Sequence, residues 1–299
     1  MQTLFAMSRD EELTLPHAIE AYDKSIQNAF ILYLFNIYCM LRVTEMAKHD
    51  AAKKHTKYLP TEEDLTFSDK LFSNPLTQCL YQLKSFQKSF KEHAFEGRID
   101  NDLIRKIYRE FANEEYYKTY VNKANCTEDD HMVMLHDLYR FMRKHELFNE
   151  LVEDLYATWE DDKSLVIGTV KKTLKALPGT DQILRDFELP EETYDFGVEL
   201  LNRVVVEDHN LMDIFKPILK NWDIERLALI DMILLKMAIC EFMYFKSIPI
   251  KVTLNEYVEV AKLYSTSKSK DFINGILDKV MNQLTEKGLI AKEGRGLQE

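Results

Sequence analysis

The sequence predicts an all-α protein, and three observations carry that expectation. The 299 residues include only eight Gly and seven Pro, and Gly97 is the only glycine before Gly168. Sparse breakers leave long uninterrupted runs. Within those runs apolar residues recur at the 3.6-residue spacing of helices, not the alternation of strands. Apolar content is 46%, ample for a buried core.

Leu4, Phe5 and Met7 predict a short first helix that starts without a cap almost at the terminus. A long helix is expected over 16–48. Pro16 sits in its first turn, where a missing N–H is tolerated, and Ile31, Leu34, Phe35, Tyr38 and Leu41 form its stripe. The polar stretch 48–57 and Pro60 follow it, and Thr61-Glu-Glu-Asp64 has the pattern of a capped start. Further helices are expected over 75–92, 100–112, 113–125, 128–144 and 147–159, with no fixed-period repeat. A helix over 161–176 stops at Pro178-Gly179. One over 191–207 has an acidic first turn, as the positive end of the helix dipole favours. The next, over 211–220, is kinked or bounded by Pro217. Trp222-Asp-Ile-Glu-Arg226 leads into the apolar helix 223–245, which ends before Pro249. Thr253-Leu-Asn-Glu256 reads as a capping box, with Leu254, Val258 and Ala261 facing inward. Ser265-Thr-Ser-Lys-Ser269 is a break, and a last helix carries Ile273, Ile276, Leu277, Val280 and Leu284 on one face. The tail after Gly288 is expected to fray.

A net charge of −11 excludes a basic face that dominates the molecule, so any nucleic-acid site is a local patch. Cys39, Cys79, Cys126 and Cys240 form no CxxC pair. That predicts reduced thiols in a cytoplasmic protein, without a zinc site or disulfide framework. The first residues lack the basic and long apolar segments of a signal peptide. The run 227–245 is apolar enough to suggest a membrane span, but Asp231, Lys236 and Glu241 divide it. Each would cost roughly 2.5–3.5 kcal/mol near a bilayer centre, so a buried core helix and no membrane contact are expected. No GxGxxG, P-loop, GxSxG or HExxH motif occurs. His131, His136 and His145 do not align on a helix and read as surface residues. The pairs Glu11-Glu12, Glu62-Glu63 and Asp129-Asp130 sit at helix starts or in loops, where solvation and helix dipoles account for them. No enzyme activity, cofactor or metal is expected.

The join over 265–272 is the most suggestive local site. Ser267 or Ser269 is placed to cap the last helix, with Lys262, Lys268 and Lys270 around that end. Hydroxyls and ammonium groups at a helix N-terminus suit phosphate, and Phe272 offers a ring for base stacking. The competing reading is a solvated helix start with Phe272 in the core. Gly275 lies inside this helix, where glycine costs about 1 kcal/mol against alanine, and such a glycine is usually kept where another backbone packs close. Asn274 and Asp278 share a face expected to meet solvent or cap a neighbouring loop. Upstream, Asp231, Lys236 and Glu241 are spaced so that each step turns about 140°, and they form no single polar face. Glu241 lies on the row of Leu227, Ile230, Leu234 and Met237 and needs a partner. An intramolecular pair with Arg226, Arg203 or Lys251 and a protein interface both remain open.

Together these segments resemble the C-terminal half of the NusB family of antitermination factors. The resemblance is carried by Leu234 to Glu241, Pro249, Val252-Thr-Leu-Asn-Glu256, Ala261-Lys262 and Phe272-Ile-Asn-Gly-Ile-Leu-Asp278. Tyr194-Asp-Phe-Gly-Val-Glu-Leu-Leu201 is similar to the preceding family helix. The likeness covers about residues 190–282, or from 161 at its widest. It implies an all-α fold, no catalysis, binding of a boxA-type RNA, pairing with NusE (a ribosomal small-subunit protein), and thereby an indirect place in the transcribing RNA polymerase complex. By position it implies that Lys268, Ser269 and Phe272 face RNA, with Lys262 and Lys270 beside them. Gln2 and Phe5 fall on the first family helix and are expected to approach RNA as well. Asp231 and Lys236 fall in the region that meets NusE, with Glu241 on the same helix. The family usually has Arg where Lys236 stands, so a bidentate contact is lost.

Two departures stand out. The family opens with an arginine-rich segment, whereas Arg9 is the only Lys or Arg before Lys24. With the uncapped start, this predicts that Met1 is an internal methionine of a chain beginning upstream. Residues 10–160 have no counterpart in a minimal family member and read either as a docking module or as packing. The expected division is therefore 1–160 as a helical extension or insertion, with 1–8 a remnant of the first family helix, 161–288 as the RNA-binding helical domain, and 289–299 as a frayed tail. Two other functions compete. A protein-only scaffold would keep NusE and lose RNA; the missing arginines favour it and the lysine cluster opposes it. An RNA-modifying enzyme is suggested by fusions of this fold to RNA methyltransferases and opposed by the lack of a glycine-rich cofactor loop.

Overall fold

Long 3.6-periodic runs with few breakers form helices, and every regular element in the computed structural model is helical among the described residues, which are 1–185, 191–219 and 227–297 with the side chains of Glu63 and Arg185 set aside. Trp222-Asp-Ile-Glu-Arg226, and with it Arg226 as a partner for Glu241, lies outside the described residues. Contacts divide the chain into two compact units, Ser25–Glu188 and Met1–Lys24 with Leu189–Glu299. In chain order the first helices are α1 (Gln2–Arg9), α2 (Leu15–His55), α3 (Glu62–Thr66), α4 (Lys70–Ser73), α5 (Pro75–Gln82), α6 (Lys84–Glu92), α7 (Asn101–Phe111), α8 (Glu115–Asn122) and α9 (Glu128–Met142). After them come α10 (Glu146–Leu155), α11 (Trp159–Lys175), α12 (Gln182–Arg185), α13 (Glu191–Val206), α14 (Asp208–Phe215), α15 (Leu229–Tyr244), α16 (Ile250–Tyr264) and α17 (Ser269–Glu286).

In the unit Ser25–Glu188, α2 is the spine. It buries Leu32, Leu34, Phe35, Ile37, Met40 and Val43. Around it the core is aromatic: Phe35 meets Phe95 at 5.4 Å and Tyr156 at 5.2 Å between ring centroids, separations at which edge and tilted pairs attract. Polar side chains are buried with it. Asn36 donates from Nδ2 to the Leu32 carbonyl at 2.9 Å and accepts from the Tyr139 hydroxyl at 3.2 Å. The Tyr33 and Thr173 hydroxyls pair at 2.7 Å. Helix α2 runs past its expected end at 48, because the polar stretch is one face of an amphipathic turn whose other face buries Ala47 and Ala51. The helix expected over 75–92 divides at Leu83, which is extended (φ −67°, ψ 110°). Capping boxes form at Thr61 with Asp64 and at Thr127 with Asp130. His145 is not a surface residue: its side chain is only 8% exposed and contacts Glu110 at 3.0 Å. Helix α11 buries Val166, Val170 and Leu174 in this core, so the contacts divide the chain downstream of 160.

In the other unit, α15 runs through the centre, with Leu234, Leu235, Ala238, Ile239 and Cys240 fully buried. It packs against α1, α13, α14, α16 and α17. A helix apolar on all sides belongs in such a place. Leu4 of α1 joins this core, and α17 contributes Ile273, Ile276, Leu277, Val280 and Leu284. At Gly197 the Tyr22 hydroxyl occupies the space a Cβ would need. Helix α14 ends before Pro217, and α16 starts at Ile250 behind Pro249. The expected box at Thr253 and Glu256 is thus corrected: Thr253 lies inside the first turn and its hydroxyl points elsewhere. The tail is also corrected. Through Leu297 it folds back on the end of α15, where Lys292 donates to the carbonyls of Phe245 at 2.9 Å and Glu241 at 3.2 Å, and the Glu293 N–H donates to the Lys246 carbonyl at 3.0 Å. An ammonium on the open carbonyls of a helix C-terminus is a stabilising cap.

One described helix, Leu15–His55, is long and apolar enough to cross a membrane by length and composition, and its apolar 18-residue stretch is 67% buried inside the protein. All four cysteines are free; burial pushes the Cys39 thiol far up and that of Cys240 to about 12.

Candidate functional site

The two acids of α15 organise the site. Asp231, in the first turn, is 5% exposed. Its Oδ1 accepts from the Ser265 hydroxyl at 2.6 Å and its Oδ2 from the Ser269 hydroxyl at 2.8 Å. Ser269 also lies 2.9 Å from Ser265 and 2.8 Å from Thr266, oxygen to oxygen. A carboxylate and three hydroxyls therefore hold the turn between α16 and α17 against the start of α15. Glu241, in the last turn, is buried as well, and accepts from the Thr253 hydroxyl at 2.6 Å and the Tyr257 hydroxyl at 3.1 Å. Desolvation raises the pKa of Glu241 and, more strongly, that of Tyr257. Ser265 follows the last residue of α16 and Thr253 lies in its first turn, so α15 clamps α16 at both ends.

Around this turn the predicted residues fall into distinct places. Lys268 takes the N-cap position of α17 without a capping side chain, and Ser269 is its first helical residue. The expectation of a serine cap at 267 or 269 is thus corrected, because the Ser269 hydroxyl is turned inward to Asp231. Lys268 and Lys270 are exposed on either side of it. Lys262, in the last turn of α16, is ion-paired with Glu259. Phe272 is half-buried and packs on the core. Gly275, Asn274 and Asp278 are exposed. Among the described residues no backbone outside its own helix approaches Gly275, around which a Cβ would meet nothing within 4 Å, contrary to the expectation of close packing. Gln2 and Phe5 are on α1, with Gln2 exposed and the Arg9 guanidinium 5.5 Å from the centre of the half-buried Phe5 ring.

The structure joins Asp231 to Ser269, which sequence reasoning assigned to different partners. Lys236 pairs with Asp208 of α14. Glu241 is answered by neutral hydroxyls, while Arg203 pairs with Glu199 at 2.8 Å. Sequence reasoning missed Ser265, Thr266, Tyr257, Asp208 and Lys292. The available signal was the buried acid itself: a carboxylate on an apolar helix requires donors, and the Ser-Thr-Ser run is a concentrated source of them.

The NusB family model matches residues 168–282. Among curated proteins, the transcription antitermination protein NusB of Chloroherpeton thalassium is 44% identical over 106 residues, which is 34% of this chain and 49% of that protein. The chain thus spans about half the length of that relative. The protein of the same name from Salinibacter ruber is 32% identical over 148 residues, 50% of this chain and 86% of that protein. That from Natranaerobius thermophilus is 37% identical over 99 residues, 33% of this chain and 71% of that protein. No solved structure matches the chain. With most of the Salinibacter protein covered, and with an N-terminal region beyond the matched helices, this chain belongs to the NusB family.

Proposed function

We propose that the chain is a transcription antitermination factor that binds boxA-type RNA together with NusE. The observation that carries the RNA part is the Asp231 clamp. It fixes the base of the turn between α16 and α17, so that Lys268 and Lys270 are presented from an ordered backbone. Ordering a binding loop before the ligand arrives lowers the entropy lost on association. In this reading Lys268 and Lys270 meet phosphates, the exposed part of Phe272 meets a base, and Asp231 and Ser269 position them from inside. Lys262 contributes less, since Glu259 already pairs with it. Gln2 and Phe5 are supporting contacts. The NusE part rests on the family and on the α14 and α15 surface around Lys236 and Asp208. The role requires no catalysis and no cofactor, and its place is the cytoplasm, beside the transcribing polymerase.

The test is fluorescence anisotropy of a labelled boxA RNA titrated with the full chain at two salt concentrations, with and without NusE. Salt-sensitive binding that tightens with NusE is expected. A stable complex with NusE but no RNA binding would replace this reading with the protein-only scaffold.

A further inference from the structure

A groove of about 330 Å³ in the unit Ser25–Glu188 runs between α2 and α7. The two helices run in the same direction here: Arg42 donates to the Asn101 side chain at 3.1 Å, and farther along the Tyr108 hydroxyl donates to Asp50 at 3.2 Å. The floor is Met46 and Tyr108, both buried. One wall carries His49 and Lys53 and the other Arg105 and Arg109, all exposed. Each pair is spaced four residues apart, about 6 Å of rise along its helix. Asp50 also lines the groove and is matched by Lys54 at 3.2 Å, and Asp102 beside it is matched by Arg105 of the wall at 2.8 Å. Lys53, Arg109 and His49 have no ion-pair partner among the described residues. The same strip of α2 holds three lysines and one acid between 48 and 55.

In a chain of net charge −11, a groove whose walls are cationic and partly unneutralised is an exception. Self-repulsion does not explain why two helices place their cations facing one another. The geometry points to a phosphate-backbone groove for single-stranded RNA on the added helices, separate from the turn at Lys268. Cations repeated along two walls suit a row of phosphates better than a single one. Exposed large apolar side chains are absent from the lining, as are exposed Phe, Tyr and Trp rings. A membrane surface would need the former to anchor and base stacking the latter. The contacts are therefore to backbone, and indifferent to sequence. The choice of RNA among polyanions rests on the antitermination reading, whereas the groove's affinity for a polyanion does not.

The test uses the full chain carrying Lys268→Ala and Lys270→Ala, so that the groove is read alone, and a labelled oligouridine. Adding Lys53→Ala and Arg109→Ala should weaken binding roughly tenfold at low salt and lower the slope of log K against log salt by about 1.4, near 0.7 for each lost phosphate. Both residues are exposed, and an unchanged thermal melt checks that the fold is kept. Unaltered affinity and slope in the groove variant, or no oligouridine binding before it is made, would overturn the proposal. So would equally tight binding of an oligoglutamate peptide, which would mark an acidic protein segment as the partner. If oligouridine binding depends on Lys53 and Arg109 while the parent chain shows no preference for boxA, the groove stands and the antitermination reading fails.

Discussion

In the unit built on α2, the polar groups that α2 buries beside Phe35 are neutral and face neutral partners: Asn36 with Tyr139, Tyr33 with Thr173. In the unit built on α15, those that α15 buries are carboxylates, and each is held by two hydroxyls, Asp231 by Ser265 and Ser269, Glu241 by Thr253 and Tyr257. Neutral pairs lock the register of an aromatic core and stop there. Carboxylates reach from the central helix to both ends of α16, and one of them reaches the turn that carries Lys268. The first arrangement joins helices within the core; the second couples the core to a surface loop.

The largest effect that tests this contrast is in the aromatic core. Phe35→Ala should destabilise the protein by about 3–5 kcal/mol in denaturant unfolding, because its ring is fully buried against Phe95 and Tyr156. A loss below about 1 kcal/mol would mean that the core is loosely packed. Next is Asp231→Ala, which removes the acceptor of two hydroxyls. A hydrogen bond to a charged group contributes roughly 1.5–3 kcal/mol, and desolvation of the acid offsets part of it, so a loss of about 2 kcal/mol is expected. The contrast predicts that this variant also loses RNA affinity, whereas Phe35→Ala keeps it under conditions where the protein remains folded. Equal losses of affinity would break the comparison.

Gly275→Ala is the opposite case. With open space around the position, the better helix former should stabilise by about 0.5–1 kcal/mol. If binding of RNA or NusE falls while stability rises, the bare helix face at Gly275 is a contact surface. The smallest effect is the pH dependence of Glu241. Burial raises its folded pKa above the unfolded value. The folded state then binds the proton more readily, so the stability this group confers is fullest below its unfolded pKa of about 4.3 and is lost as pH rises through the folded pKa. Glu241→Gln, which mimics the neutral acid, should flatten this fall when melting temperature is followed between about pH 4.5 and 8. An unchanged profile would show that folding does not raise the pKa of this acid.

Periodicity made the architecture legible where burial is local. The face of α17, from Ile273 to Leu284, was readable as written, and so was the cap at Thr61. The end of α2 was not, because a lysine-rich face hides the small residues, Ala47 and Ala51, that continue the helix. The site was legible only in part. That Asp231 and Glu241 needed partners followed from their apolar helix. Which partners they take did not, since Ser265 and Ser269 lie 34 and 38 residues from Asp231 and meet it only through the packing of α16 and α17 on α15. The inward turn of Ser269, which displaces it from the cap, follows from that same packing.

The most direct test of the central claim is the affinity of boxA RNA for the chain with Lys268→Ala and Lys270→Ala, measured by anisotropy across a salt series. Both side chains are exposed and remote from the core, so folding should be unaffected. If the turn held by Asp231 is the RNA face, affinity falls and the salt slope drops by about 1.4, near 0.7 per phosphate. Wild-type affinity with an unchanged slope would contradict the account and place boxA elsewhere on the protein.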